Sequence, residues 1–143
     1  MGATPAMGKT GASIIFLNDT RQVLLLLRDN NETIPFPNCW DLPGGHVEAS
    51  ETPFECIQRE IREELEMELE HPRLFRVYDL ADRREYTFWQ NADFDVTLVN
   101  LREGQRMQWF SEDDIGILTC RQIAFDFKPI LLDFYQERPW LNV

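Results

Sequence analysis

The chain has no long apolar run. Its longest, Val23–Leu27, is the length of a strand, and a membrane-crossing helix needs roughly 20 apolar residues. A membrane role is therefore not expected. Cysteine is scarce and wrongly spaced: Cys39, Cys56 and Cys120 are odd in number, far apart and form no CxxC. That excludes a disulfide framework or a zinc knuckle and leaves free thiols. Positive charge is short as well: 14 Lys and Arg stand against 25 Asp and Glu, a net charge of −11. A groove for polymeric DNA or RNA needs a basic stripe, and none is visible. A small phosphorylated ligand remains compatible if divalent cations bridge it to carboxylates. There are no internal repeats, low-complexity linkers or signal-peptide layout, so one cytoplasmic domain over 1–143 is expected, with 1–10 as a loose lead-in. A homodimer stays open.

At 43% hydrophobic and 27% charged, the composition is that of an ordinary globule. Ala12–Leu17 and Arg21–Arg28 read as strands around an Asn18-Asp19 turn, and Asp29–Cys39 reads as a loop. Trp40–Val47 is a short extended piece around Pro43-Gly44-Gly45. Thr52–Leu65 is the clearest helix: Ser50 or Thr52 can cap it, Pro53 suits a first turn, and Phe54, Ile57, Ile61 and Leu65 recur at helical spacing. Leu74–Leu80, Glu85–Trp89, Phe94–Val99 and Arg106–Phe110 read as strands. Ser111 leads into a short turn, and Ile123–Gln136 reads as a helix. Strands interleaved with two or three helices indicate an α/β (α+β) sandwich.

Glu60, Glu63 and Glu64 stand at i, i+3 and i+4, within an arc of roughly 100° beside the Ile57–Ile61–Leu65 stripe. Like charges so placed repel. A divalent cation reverses that penalty, and hard carboxylate oxygens suit Mg²⁺ or Mn²⁺. Taken alone, the same pattern also describes a solvated acidic helix face.

The surrounding run, from Gly45 through Glu51, Arg59, Glu60, Ile61, Glu63 and Glu64 to Met67, resembles the Nudix box, G-x5-E-x7-R-E-U-x-E-E-x-G-U, where U is bulky and aliphatic. Pro43-Gly44-Gly45 before it, the Leu24–Arg28 strand and Trp109-Phe110-Ser111 are similar to the same family. One position departs: Glu66 stands where the family has glycine. Since a non-glycine is costly in a left-handed conformation, by on the order of 1–2 kcal/mol, the helix is expected to run on toward Glu70.

The resemblance implies an α/β/α sandwich with a mixed sheet and a loop–helix–loop that binds metal and pyrophosphate. Carried over, Glu60, Glu63 and Glu64 become Mg²⁺ (or Mn²⁺) ligands or near-ligands, with a backbone carbonyl at Gly44 or Gly45. Glu63 and Glu64 take the catalytic role, and Glu51 and Arg59 an ion pair holding loop to helix. Arg102-Glu103-Gly104-Gln105, followed by Trp109, resembles a MutT-type loop and makes Glu103 a candidate extra ligand or general base; a turn glutamate is the plainer alternative. Arg28 is a candidate phosphate contact or a surface arginine. Phe36, Trp40 and Trp89 are candidate base-stacking side chains or core, and His46 and His71 read as loop and helix-end residues.

The implied activity is metal-dependent hydrolysis of a nucleoside diphosphate linked to another group. A nucleoside triphosphate comes first, with nucleotide sugars and dinucleoside polyphosphates as alternatives. A non-catalytic nucleotide sensor is the competing class, although such modules often lose box glutamates that this chain keeps. Near Ala124 there is no asparagine of the kind that reads oxidised guanine. Ala3–Thr10 nearly spells a phosphate-binding P-loop, but that motif must follow a strand and open a helix; here a β-like run follows, and the match is set aside.

Overall fold

The computed structural model describes residues 8–142; the lead-in residues 1–7, and with them most of the near-P-loop, lie outside that range. Seven strands form one mixed sheet: β1 (Thr10–Leu17), β2 (Val23–Leu27), β3 (Trp40–Asp41), β4 (Gly44–His46), β5 (Arg73–Asp79), β6 (Arg84–Asn91) and β7 (Arg106–Phe110). The main order is β3-β2-β1-β6-β5, with β4 added to β1 and β7 to β2. β1 and β6 run parallel; every other pairing is antiparallel. β1 meets β2 only at Leu17 and Val23, then turns along β4 at Gly11–Ser13. That divergence opens the sheet where the Pro43-Gly44-Gly45 loop enters, and Ile14 N–H donates to Pro43 O at 3.0 Å.

The unbroken apolar runs of β1 and β2 follow from burial on both faces. Ile15, Leu17, Val23 and Leu25 point into one core, with Phe127, Ile130, Leu131 and Phe134 of α3 (Phe127–Glu137) and Ile115 of α2 (Glu112–Ile117). Ile14, Phe16, Leu24 and Leu26 point into the other, against Cys56, Ile57, Ile61 and Leu65 of α1 (Pro53–Leu65). The result is the expected α/β/α sandwich. Among the described residues no helix is long and apolar enough to cross a membrane, and the three cysteines are free.

α1 begins as its sequence suggests. Thr52 accepts from Glu55 N–H at 3.1 Å, Glu55 accepts from Thr52 N–H at 2.8 Å, and Pro53 fills the first turn. Phe54 is exposed, however, and Cys56 takes its place in the buried stripe.

Three expectations fail locally. Phe94–Val99 is not a strand: a 3₁₀ turn, Val96–Leu98, forms under the Asp95 cap, whose side chain accepts from Thr97 N–H and Oγ1. The C-terminal helix starts four residues late, because Phe125 and Asp126 adopt left-handed φ of 56° and 62°. α1 stops at Leu65 instead of continuing toward Glu70. Glu66 takes φ 54° and ψ 40°, its N–H donating to Arg62 O. The left-handed cost is offset by contacts glycine would not make: the Glu66 carboxylate accepts from Arg102 and from Asn100 Nδ2, the latter at 3.0 Å. In the chain that crosses the helix end, Arg102 N–H also donates to Glu64 O at 2.8 Å.

This account predicts an order among variants at position 66. Glu66→Ala keeps the left-handed strain and loses the carboxylate contacts, so it is the least stable. Glu66→Gly removes the strain and recovers about 1 kcal/mol relative to alanine. Urea unfolding measures the difference; equal stability of the two variants would refute the left-handed helix end.

Candidate metal centre and adjoining cleft

The centre is built where α1, the Gly44-Gly45 loop and the Arg102–Gln105 loop converge. Gly44 has φ 147°, and a Cβ there would collide with Ala12 O. A Cβ on Gly45 would collide with the Glu60 carboxylate. The backbone therefore lies directly against the acidic face of α1, an approach that glycine alone permits. Gly44 N–H points to Glu64 Oε1 at 3.4 Å.

Arg59 ties this face together. It grips Glu51 through two bonds, Nη2 to Oε1 at 2.7 Å and Nε to Oε2 at 3.0 Å. Its Nη1 also reaches Glu63 Oε1 at 3.1 Å and Glu60 Oε2 at 3.3 Å, and Nη2 reaches His46 O at 3.3 Å. The loop and the helix are thereby pinned to each other. The hydrogen bonds from Arg59, then that from the Glu48 backbone, hold Glu51 down at about 2.

Glu64 has no such partner. Its side chain is 7% exposed. Burial first, then repulsion from Glu60 and Glu103, pushes its carboxyl up to about 9. Burial also raises Glu60, against the pull of Arg59. Glu103 is exposed and belongs to the same cluster, since its charge acts on both Glu60 and Glu64. Two backbone bonds hold its loop there: Arg102 N–H to Glu64 O and Gln105 N–H to Leu27 O, each at 2.8 Å. Between them Gly104 has φ 87°, and a Cβ would press on Leu27 O. Glu60 and Glu64 are crowded, partly desolvated carboxylates against a glycine backbone, yet among the described residues no three His, Cys, Asp or Glu side chains stand close enough to hold a metal ion as they are. Glu63 is exposed at the rim, where it meets Arg59.

A cluster of aromatic and charged side chains adjoins this acidic face, since the Asp41 charge also acts on Glu64. Arg28, at the end of β2, donates Nε–H to Pro35 O at 2.9 Å and Nη1–H to Asp41 Oδ2 at 3.0 Å. Its guanidinium lies 4.9 Å from the Phe125 ring. The Phe36 and Phe125 rings are 4.6 Å apart, and Phe36 is 44% exposed. Arg83 approaches Phe125 from elsewhere, 5.7 Å from its ring, while bonded to buried Glu85 at 2.6 Å. Burial pushes Asp41 up to about 6 despite Arg28. The two loops that bring Phe36 and Phe125 together both contain non-glycine residues at positive φ: Phe36 and Asn38 in one, Phe125 and Asp126 in the other.

Burial separates the aromatic candidates. Trp89 is buried in the α3-side core and is not open to a ligand. Trp40 is half-buried, edge-on to Phe110 at 4.7 Å, with Arg106 over its ring at 5.1 Å. Of the three, only Phe36 is exposed. Phe125, Asp41, Arg83 and Glu85 were not foreseen. Phe125 had been assigned to a helix, and its contacts with Phe36 and Arg28 span about ninety residues of chain, beyond any local pattern. A separate cavity of about 420 Å³, lined by Arg21, Tyr135, Arg138 and Trp140 among others, includes none of these residues.

The chain is similar to known proteins in sequence and in fold. The family model of the NUDIX domain matches residues 7–134. The ADP-ribose pyrophosphatase of Methanocaldococcus jannaschii is 33% identical over 123 residues, covering 85% of this chain and 68% of that protein. Diphosphoinositol polyphosphate phosphohydrolase 2 of Rattus norvegicus is 27% identical over 134 residues, covering 90% and 69%. Among solved structures, the MutT protein of Methanosarcina mazei Go1 shares the fold, with TM-score 0.71 and 22% identity over 96% of this chain and 99% of that one.

The Glu64 environment predicts an inverted pH dependence for the metal-free protein. A carboxyl raised from its ordinary value near 4.5 to about 9 on folding contributes stability that is complete below about 4.5 and lost as pH rises toward 9. Glu64→Gln should therefore match the native chain at pH 4 and exceed it by on the order of a few kcal/mol at pH 9. Chemical denaturation in the presence of a chelator reads this; a gain independent of pH would contradict the assignment.

Proposed function

The chain belongs to the Nudix hydrolase family, and from that premise we propose that it hydrolyses the phosphoanhydride of a nucleoside diphosphate linked to a further group, with Mg²⁺ or Mn²⁺ as cofactor. The observation that carries this reading is Glu60 and buried Glu64 beside the Gly44-Gly45 backbone, with the Glu103 charge acting on both and Arg59 fixing the frame. Glu60, Glu64 and Glu103 would hold the cation, with a Gly44 or Gly45 carbonyl beside them. When bound, such a cation neutralises phosphate charge and lowers the pKa of a water molecule. Exposed Glu103 would take the proton of the attacking water on a carboxylate oxygen, with Glu63 at the rim as the alternative base. Arg59, already saturated by Glu51, Glu60, Glu63 and the His46 carbonyl, supports the frame and does not reach for substrate.

The cluster around Arg28 would supply the specificity. Phe36 and Phe125 offer aromatic surface for a nucleobase, and Arg28 lies at its edge for phosphate. Both guanidiniums there are partnered, Arg28 by Asp41 and Arg83 by Glu85. A surface so neutralised favours a nucleoside over a densely phosphorylated ring of the kind named for the rat relative. A nucleoside triphosphate is the first choice. An ADP-ribose-like nucleotide sugar is the second reading, favoured by the name and 33% identity of the Methanocaldococcus jannaschii relative.

Incubation with Mg²⁺ and a panel of nucleoside triphosphates, ADP-ribose, dinucleoside polyphosphates and diphosphoinositol polyphosphate tests the reading. Phosphate or nucleotide release from the first two classes is expected. Release from none of the panel, or from the inositol compound alone, would overturn it. Glu64→Gln should lower kcat by about 10²-fold or more while the protein stays folded. Phe125→Ala should instead raise KM by about ten-fold, in line with the roughly 1–3 kcal/mol of one base–aromatic stack.

A further inference from the structure

The strand edges of the sheet are finished differently. The short β3 is covered: Trp40 bridges to Ile123, with Trp40 N–H donating to Gln122 O at 2.8 Å and Ala124 N–H donating to Trp40 O at 2.7 Å. Two longer strands are paired on one side only: β7 with β2, and β5 with β6. Among the described residues no other strand is laid along the outer edge of β5. An unpaired strand edge is a template for another strand, and chains commonly blunt or cover it.

One side of β5 is firmly held. Phe75 and Tyr78 pack toward α3, Tyr78 OH donates to Asp133 at 2.8 Å, and Arg76 pairs with Asp133 at 3.6 Å and Glu137 at 3.5 Å. The other side is bare. A register irregularity between Leu74 and Arg76 leaves Leu74 opposite Phe88 and Val77 opposite Tyr86, on the face that α1 covers farther in. Leu74 is 52% exposed and Val77 39%. Phe54 of α1, also exposed, extends this apolar surface to Phe88, with the two rings 6.2 Å apart.

We propose that β5 is the interface between two copies of this chain, the strand pairing antiparallel with its own counterpart and covering Leu74 and Val77. The order of charges selects a second copy as the occupant. Arg73 and Arg76 lie in the first half of β5, Asp79 at its end and Asp82 just beyond. Antiparallel self-pairing brings each basic half beside the other copy's acidic end. A uniformly charged partner strand would leave one half opposed by like charge, which is destabilising across a sheet. A two-fold axis at Val77 sets Val77 against Val77 of the second copy and Arg76 against Tyr78, each pair on one face of the joined sheet. Because each chain carries a net charge of −11, the association should tighten as salt screens their repulsion.

Sedimentation equilibrium of the full chain tests the proposal, with Val77→Lys, Leu74→Lys and, as a control, Leu98→Lys, which alters an exposed residue outside β5. The native chain and the control should reach twice the single-chain mass with rising concentration, more readily in added salt. Val77→Lys and Leu74→Lys should raise the dissociation constant at least about ten-fold, with unchanged circular dichroism. A single-chain mass for the native protein up to roughly 200 µM, where even a weak dimer would form, would overturn the proposal. So would dimerisation of both β5 variants at native strength.

Discussion

The site depends on one guanidinium shared among carboxylates. Glu51, Glu60 and Glu63 converge on Arg59, which also binds the His46 carbonyl. Without that cation, the acidic face of α1 and the loop carrying Glu51 would repel each other. With it, the loop from Gly44 to Glu51 is locked against the helix, and one carboxylate is left over. Glu64, a single turn beyond Glu60, is buried and lacks a cationic partner. A chain that buries an unpaired acid at its own expense is poised for a positive charge it does not itself supply.

The two-core sandwich keeps that arrangement rigid. Ile57, Ile61 and Leu65 fasten α1 to β1 and β2, so the carboxylates beside that stripe have little freedom. The chain that returns over the helix end brings Glu103 to the cluster and, through Gln105 N–H to Leu27 O, joins it to the strand that ends in Arg28. The acidic face and the cluster around Arg28 are therefore set by one piece of backbone. A shift in the 102–105 loop would disturb both.

Much of this was legible from local pattern. Periodicity marked α1, the runs Ala12–Leu17 and Arg106–Phe110 marked strands, and the spacing of Glu60, Glu63 and Glu64 marked the acidic face. What could not be read were features decided by distant contacts. Glu66 accepts a left-handed backbone because Arg102 and Asn100, some 35 residues on, bond to its carboxylate. Phe125 leaves the helical pattern of its neighbours to pack against Phe36. Apolar residues at Phe94, Val96 and Val99 look like a strand, yet they pack as a turn against the α1-side core under the Asp95 cap. In each case a tertiary contact outweighed local propensity.

The central claim is that Glu64 is held protonated for a divalent cation to displace its proton. Calorimetric titration of the full chain with Mg²⁺ near pH 7.5, repeated in buffers of different ionisation enthalpy, counts the protons released on binding. The account predicts about one proton released per cation bound by the native chain, and none by Glu64→Gln. Binding without proton release, or release undiminished in that variant, would contradict it.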